Sequence, residues 1–408
     1  MQSAVSIPLP NIRFLQIEQS KFPNWLIYLF VATVFSKEIG SLTIAGIDYD
    51  MIGYSFCIIY FLRYLRGLYL NSSLNYFLFF LLCSSLIAKA YLNLSLSPLF
   101  KQWIPFALIF LVNYDFFART ANLKRIFKAY ITVSYYTAII GILQLGLKFF
   151  FGIKFLTGYA TFFIDSVALE PSHYAALVLP ACVYSFMRFK YDKWRSIIIL
   201  LAAFGTFSST TYVVMMLSLV FIYLNPLYLI FILPLLYYLY NFVFLDFEKF
   251  SVRVDAMSAY FEGTSMDKIT NATSISFISN LEAAQYTVKN SPLIGSGLGG
   301  HEEMYQRYLQ FSPFRYHYLY GINAPSAHSQ LIRILSEWGI AGTAFYFFFL
   351  VKMLILKSDG YYRMVSIACL SHFMCKFLKL GGYFDYGTPF FAMLFFFNYM
   401  NYKKSNRK

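Results

Sequence analysis

Charge is the first scarcity. Only 13% of the 408 residues are Asp, Glu, Lys or Arg, against 59% hydrophobic and 21% aromatic. Ordinary soluble domains carry about 25% charged residues, so a water-soluble globular chain is excluded and a polytopic membrane protein is expected. Acidic residues are scarcer still, 19 against 33 basic, which leaves a formal charge of +14. In so apolar a chain that excess reads as Lys and Arg on cytoplasmic loops before it reads as a nucleic-acid surface. Cysteine is rare too. Cys57, Cys83, Cys182, Cys369 and Cys375 lie in or beside apolar runs, which argues against disulfide stapling and a cysteine metal site and makes them small buried hydrophobes. A cleavable leader is not expected, because Arg13, Glu18 and Lys21 interrupt the start of the chain and no compact apolar core precedes a small-residue cleavage site.

What is abundant is apolar length. A hydrocarbon core of about 30 Å takes about 20 helical residues to cross. Runs of this kind fall near residues 24–47, 50–62, 74–92, 99–114, 129–151, 171–187, 195–208, 210–224, 226–245, 327–356, 362–378 and 383–400. The expected fold is therefore an all-α polytopic bundle, one domain of about 12 transmembrane helices over residues 1–408. The breaks "RYLRG", "RTANLKRIFK", "RFKYDKWR", "KSDGYYR" and the tail "KKSNRK" are basic and share one side of that arrangement. That side is expected to be the cytoplasm, with both termini inside. Two loops then face outward, residues 152–170 and the long 246–326. A loop of this length is functional or disordered. Its aromatic content and the stretch "SFISNLEAAQYTVKNSPLIGSG", with Ile278, Leu281, Ala284 and Val288 at helical spacing and Pro292 as stop, predict a folded cap.

Charges stand where they are costly. The long loop carries Lys249, Arg253, Lys268, Lys289, Arg307 and Arg315, and Arg333 lies just inside the next run. External cations at a membrane mouth point to an anionic ligand, and Arg forks suit phosphate or pyrophosphate oxygens; solvated loop charges or headgroup contacts are the alternative. An ionisable residue within a span needs a partner, and Glu337 stands one turn beyond Arg333. His328 precedes Arg333 by five residues. If helical, the two are separated by about 140° of rotation and line one cavity only with help from other helices. In "ALEPSHYAALVLPA", Glu170 before Pro171 fits a helix cap, or a general base for a hydroxyl nucleophile. His173 in the same segment, with Tyr305, Tyr316, Tyr308 and Tyr318 in the loop, are candidate sugar contacts. "GSGLGG" at 295–300 matches a dinucleotide fingerprint formally, but no buried strand precedes it; a tight turn, or a turn bringing amides to a ligand, fits better.

Two of these stretches carry a family likeness. The loop ending "SPLIGSGLGGHEEMY", followed by "AHSQLIRILSEWGIAG" at a span entrance, resembles the P-x-x-G-x-G-x-G and H-[NS]-x-x-L-x-x-x-x-E-x-G-x-x-G pattern of the bacterial O-antigen polymerase and ligase superfamily. "EPSHYA" looks like its polymerase branch. The resemblance implies a GT-C-like bundle in the bacterial inner membrane. Its expected activity is that of a metal-independent, cofactor-free, inverting glycosyltransferase working on undecaprenyl-pyrophosphate-linked repeat units at the periplasmic face. A polysaccharide chain-length regulator is a further implied partner. By motif, Glu170 and His328 are the implied catalytic residues, with the pyrophosphate held by arginines among Arg253, Arg307, Arg315 and Arg333. One departure stands out: the family often has an Arg where this chain has Phe277. A ligase moving finished polymer to lipid A core is the near alternative. A flippase or transporter is the distant one, disfavoured because no internal repeat is evident and polarity is concentrated in one loop.

Overall fold

The computed structural model describes residues 22–39, 41–44, 47–68, 71–120, 122–153, 163–168, 170–223, 271–319, 321–358 and 360–406, with single positions at 234, 258, 260 and 262. The expected span 226–245 and most of the loop up to residue 270, with Lys249, Arg253 and Lys268, lie outside the described residues.

Among the described residues the chain is helical apart from one hairpin. The helices are α1 (Asn24–Ala32), α2 (Met51–Tyr64), α3 (Ser72–Leu92), α4 (Ser97–Arg119), α5 (Leu123–Phe151), α6 (Pro171–Met187), α7 (Lys193–Phe204), α8 (Ser209–Tyr223), α9 (Ala272–Asn290), α10 (His301–Leu309), α11 (Gln330–Met353), α12 (Tyr361–Leu378) and α13 (Thr388–Ser405). The hairpin pairs β1 (Ser41–Ile44) with β2 (Ile47–Asp50), antiparallel, in the register Ser41↔Asp50 to Ile44↔Ile47. Its presence corrects the expected first span of 24–47. α1 ends at Ala32 and a short 3₁₀ turn at Phe35, so Lys37 and Glu38 stand on a turn rather than inside a helix. Asp50 locks that turn, accepting hydrogen bonds from Ser36 Oγ at 2.8 Å and from Gly53 N at 2.9 Å, where it caps α2.

Among the described residues, α3, α5 and α11 are long and apolar enough to cross a membrane. Their surfaces are inverted relative to a soluble bundle. On α3, Phe79, Phe80 and Ile87 are 64%, 68% and 62% exposed, whereas Ser85 and Lys89 are buried. Apolar side chains facing out and polar ones facing in is the pattern a lipid solvent imposes. The bundle core lies where α5, α6, α12 and α13 meet around Tyr130, Tyr174, Phe391 and Phe395.

Connections collect at two ends. At one, Arg119 donates to Gly67 O and Lys124 lies 5.4 Å over the Tyr361 ring, so three of the basic breaks meet there, with Arg125 donating to Phe22 O at 3.0 Å and Arg363 to Ile222 O. At the other lie the turn after α1, the α3–α4 turn, residues 163–168 and 170, the described residues of 291–319 and 321–329, and the α12–α13 loop.

The predicted loop helix is α9, and it ends at Asn290 just before Pro292. The glycine-rich stretch after it runs against α11, with Ser296 N donating to Ser336 O and Gly297 N to Glu337 O, both at 2.9 Å. It is a tight turn in close contact with a helix. α11 itself breaks at Gly339 (φ 66°, ψ −165°), and the amides freed by the break, Ile340 N and Ala341 N, donate to Pro292 O and Leu293 O. Only glycine accommodates this geometry, because a Cβ at 339 would stand 2.5 Å from Leu293 O. Gly339→Ala is therefore expected to lower the thermal midpoint in detergent, by about 1–3 kcal/mol of backbone strain or more. Gly146→Ala in α5, where a Cβ meets nothing within 4 Å, should not lower it. Equal midpoints for the two variants would refute this account of the break.

Candidate functional site

The loop between α12 and α13, Lys379–Gly387, is where the polar side chains of the bundle converge. Its sequence "KLGGYFDYG" bends through left-handed backbone at Leu380 (φ 73°) and Tyr386 (φ 52°), conformations that non-glycine residues adopt only when their surroundings hold them there. Gly381 lies directly on the backbone of Ser326 and Ser329, leaving no room for a Cβ.

On one side the loop meets Arg333. This guanidinium is 6% exposed. It donates to Gln102 Oε1 at 2.6 Å, to Glu337 Oε1 at 3.3 Å and to Gly381 O at 3.4 Å, and lies 4.7 Å over the Tyr383 ring. Tyr383 OH donates to the other Glu337 oxygen at 2.8 Å. The Arg333–Glu337 pair read from the sequence is present, and it is one part of a larger set joining α4, α11 and the loop.

On the other side the loop meets Glu170 and His173. Glu170 occupies the N-cap position of α6 but makes no capping bond with its side chain. Its Oε2 instead accepts from Lys379 Nζ and from Ser172 Oγ, each at 3.2 Å. His173 Nδ1 is 2.8 Å from Glu38 Oε1 and 2.9 Å from Tyr386 OH, and Tyr386 OH donates to Glu38. Lys37 pairs with Asp385 at 3.2 Å. Burial pushes each of these carboxyls up, yet the opposing groups win. Glu170 is held below its ordinary value by the charges of Lys379 and His173, Glu38 by its bonds from His173 and Tyr386, and Asp385 by Lys37 and Lys376. Behind Tyr386, 5.5 Å over its ring, the buried Lys376 Nζ has no hydrogen-bond partner among the described residues.

His328 forms a third branch. It precedes α11 rather than opening it, so the helical rotation expected between it and Arg333 does not apply. Ala327 and His328 both have left-handed backbone (φ 57° and 59°), after which Ser329 caps the helix by accepting from Ile332 N. His328 Nδ1 is 2.8 Å from Ser276 Oγ on α9, and its ring meets Phe277 edge-on at 5.7 Å. The position where the family often carries an Arg thus lies against His328. Gly381 links this turn to the loop, although no bond joins His328 to Glu170 directly.

The remaining candidates are elsewhere. Arg307 donates to Leu92 O at 2.8 Å and Asn93 O at 2.7 Å and pairs with Glu303, fastening α10 to the end of α3. Arg315 is exposed, its guanidinium 5.3 Å over Tyr316, which is itself 87% exposed. Tyr305 is buried and donates to Ser279 Oγ, Tyr308 donates to Glu282, and Tyr318 stacks on His317. The arginines expected to gather on one ligand therefore occupy three separate places, with Arg253 outside the described residues. The cations actually beside the carboxylates are Lys37, Lys376 and Lys379. Two of these lie in "KFLKLGGYFDYG", where charges around paired glycines between apolar runs were an available signal.

His301, not singled out from the sequence, ties α9, α10 and α11 together. Its Nδ1 is 2.8 Å from Ser336 Oγ and its Nε2 3.0 Å from Asn280 Oδ1. Burial, and then the charge of Arg333, pushes it down from 6.5 to about 3. Between those values the unfolded chain binds a proton that the folded chain refuses, so stability falls as pH falls. The thermal midpoint in detergent is expected to drop from pH 7.5 to pH 5, with a slope of up to about 1.4 kcal/mol per pH unit. His301→Gln should flatten that slope, and an unchanged slope in the variant would assign it to other groups.

No family model matches this chain, and no curated protein matches it.

Proposed function

We propose that this chain is a membrane glycosyltransferase of the polymerase type. It moves a growing glycan from a polyprenyl diphosphate onto a sugar hydroxyl of a second lipid-linked repeat unit, with inversion. The observation that carries the reading is the double role of Tyr383. One face of this residue lies under Arg333; the residue also lines an apolar cavity of about 360 Å³ between α3, α4, α11, α12 and α13, walled by Phe106, Trp338, Tyr346 and Phe396. An apolar groove that shares a wall residue with a buried cation suits an amphiphile with an anionic head. Lipid diphosphates are such molecules, and soluble nucleotide sugars are not.

The rest of the reading follows from the same layout. The basic turns mark the cytoplasmic end by the positive-inside tendency, so the α12–α13 loop opens on the outer face of a bacterial inner membrane, within a bundle of about twelve spans. Arg333 and Lys379 flank the diphosphate, where preorganised cations stabilise the charge that develops on a leaving group. The Glu170–His173 side receives the acceptor hydroxyl, and His328 holds the turn between the two. The short motifs shared with the polymerase branch support this choice over the ligase.

The test is a reconstituted chain given a synthetic polyprenyl diphosphate repeat unit, with products sized on a gel. Wild-type protein is expected to build a ladder. Arg333→Lys keeps the charge but loses the fork, and should reduce the rate by about 10²-fold or more; Glu170→Ala and His328→Ala should abolish the ladder. Arg307→Ala should keep it, because that side chain serves the α3–α10 junction. A full ladder from the Glu170, His328 and Arg333 variants alike would defeat the assignment.

A further inference from the structure

We propose that His173 takes the proton of the acceptor hydroxyl at Nε2, with Glu38 and Tyr386 as the residues that position its ring; the assignment rests on the transferase function proposed above.

The hydrogen-bond pattern selects the tautomer. Glu38 Oε1 stands 2.8 Å from Nδ1, and an ionised carboxylate only accepts, so Nδ1 carries a proton and, in the neutral ring, Nε2 keeps its lone pair. Tyr386 donates to the same carboxylate and thereby fixes its orientation. Among the described residues Nε2 has no hydrogen bond; Glu170 Oε2 is 3.6 Å away, beyond bonding distance, and the side chain is 18% exposed. A hydroxyl entering between His173 and Glu170 meets a bare ring nitrogen on one side and a carboxylate on the other. Glu170 is the weaker acceptor of the two. Its Oε2 already receives Lys379 and Ser172, and those partners hold it below the usual carboxylate range despite its burial. The arrangement of acid, imidazole and open nitrogen is the geometry by which a second residue orients a general base.

The step balances without a further reactant. The acceptor O–H bond breaks and its proton passes to Nε2, while the acceptor oxygen bonds to the anomeric carbon of the donor. The bond from that carbon to the diphosphate oxygen breaks, and its electron pair leaves with the diphosphate. The imidazolium so formed faces Glu38, which stabilises it.

Transfer rates measured against pH in the reconstituted full chain test the assignment. Among the described residues, His173 faces Glu38 from the turn after α1, Glu170 from its own helix cap and Tyr386 from the loop; next to these stand Lys379 on Glu170, Lys376 over Tyr386, and the Lys37–Asp385 pair. The wild-type rate should rise with pH as the base deprotonates. His173→Gln should lose about 10²-fold or more and that acid limb with it, whereas Glu170→Gln should keep the limb. Glu38→Gln removes the charge that favours imidazolium, so the limb should move to lower pH and the plateau fall about ten-fold; Glu38→Asp should return the limb toward its wild-type position. The Glu38 pair decides the matter even if His173→Gln lowers the yield of folded protein. Transfer by His173→Gln with its limb intact, or an unmoved limb in Glu38→Gln, overturns the assignment alone. Absence of transfer by wild-type protein overturns the transferase reading and this one together.

Discussion

A buried guanidinium sets the terms for this fold. Arg333 lies within an apolar helix and is almost sealed from solvent, and a charge so placed must be surrounded by acceptors from several elements or it is not tolerated. Glu337 on its own helix neutralises it, Gln102 on α4 and the carbonyl of Gly381 take its remaining protons, and the Tyr383 ring covers its face. These partners come from three parts of the chain, its own helix, α4 and the α12–α13 loop. Satisfying one side chain thus fastens α4, α11 and the α12–α13 loop at a common point, and it is this loop that then reaches Glu170 through Lys379 and Glu38 through Tyr386.

The two glycine-bearing motifs act as one structural unit. "SPLIGSGLGG" supplies backbone to the break in α11, and "SEWG" supplies the break. Because the chain interrupts the helix at Gly339, the half that carries Arg333 and Glu337 is held by the segment before α10 as well as by the bundle. Leu298 N donates to Ser85 Oγ on α3, so the same turn is tied into the membrane-facing helices. A rigid attachment of this kind holds the polar groups around Arg333 in place ahead of any ligand.

The helical architecture, the apolar exterior and the helix ending before Pro292 were legible from hydropathy and spacing, since these depend on which residues are adjacent. Glu170 and His173 were legible as a polar pair at the head of a helix. Their partners were not. Glu38 is 135 residues before His173, and Lys379 is 209 residues after Glu170, distances at which local pattern carries no information. The arginines misled for a related reason. Excess positive charge on one loop reads as a single anion site, but Arg307 is held by helix-end carbonyls at Leu92 and Asn93, whose unsatisfied acceptors exist only once α3 has ended there.

By itself the sequence determined an apolar character that favours lipid over water, because transfer free energy sums over composition and needs no particular arrangement. It also determined that the loop helix stops before Pro292, since proline acts within a turn of its own position. Tertiary structure alone decided which charges neutralise one another. Hydrogen bonds need donor and acceptor within about 3.5 Å, and ion pairing is strongest at contact; only the packing of α1, α6, α11 and the α12–α13 loop brings residues from opposite ends of the chain that close.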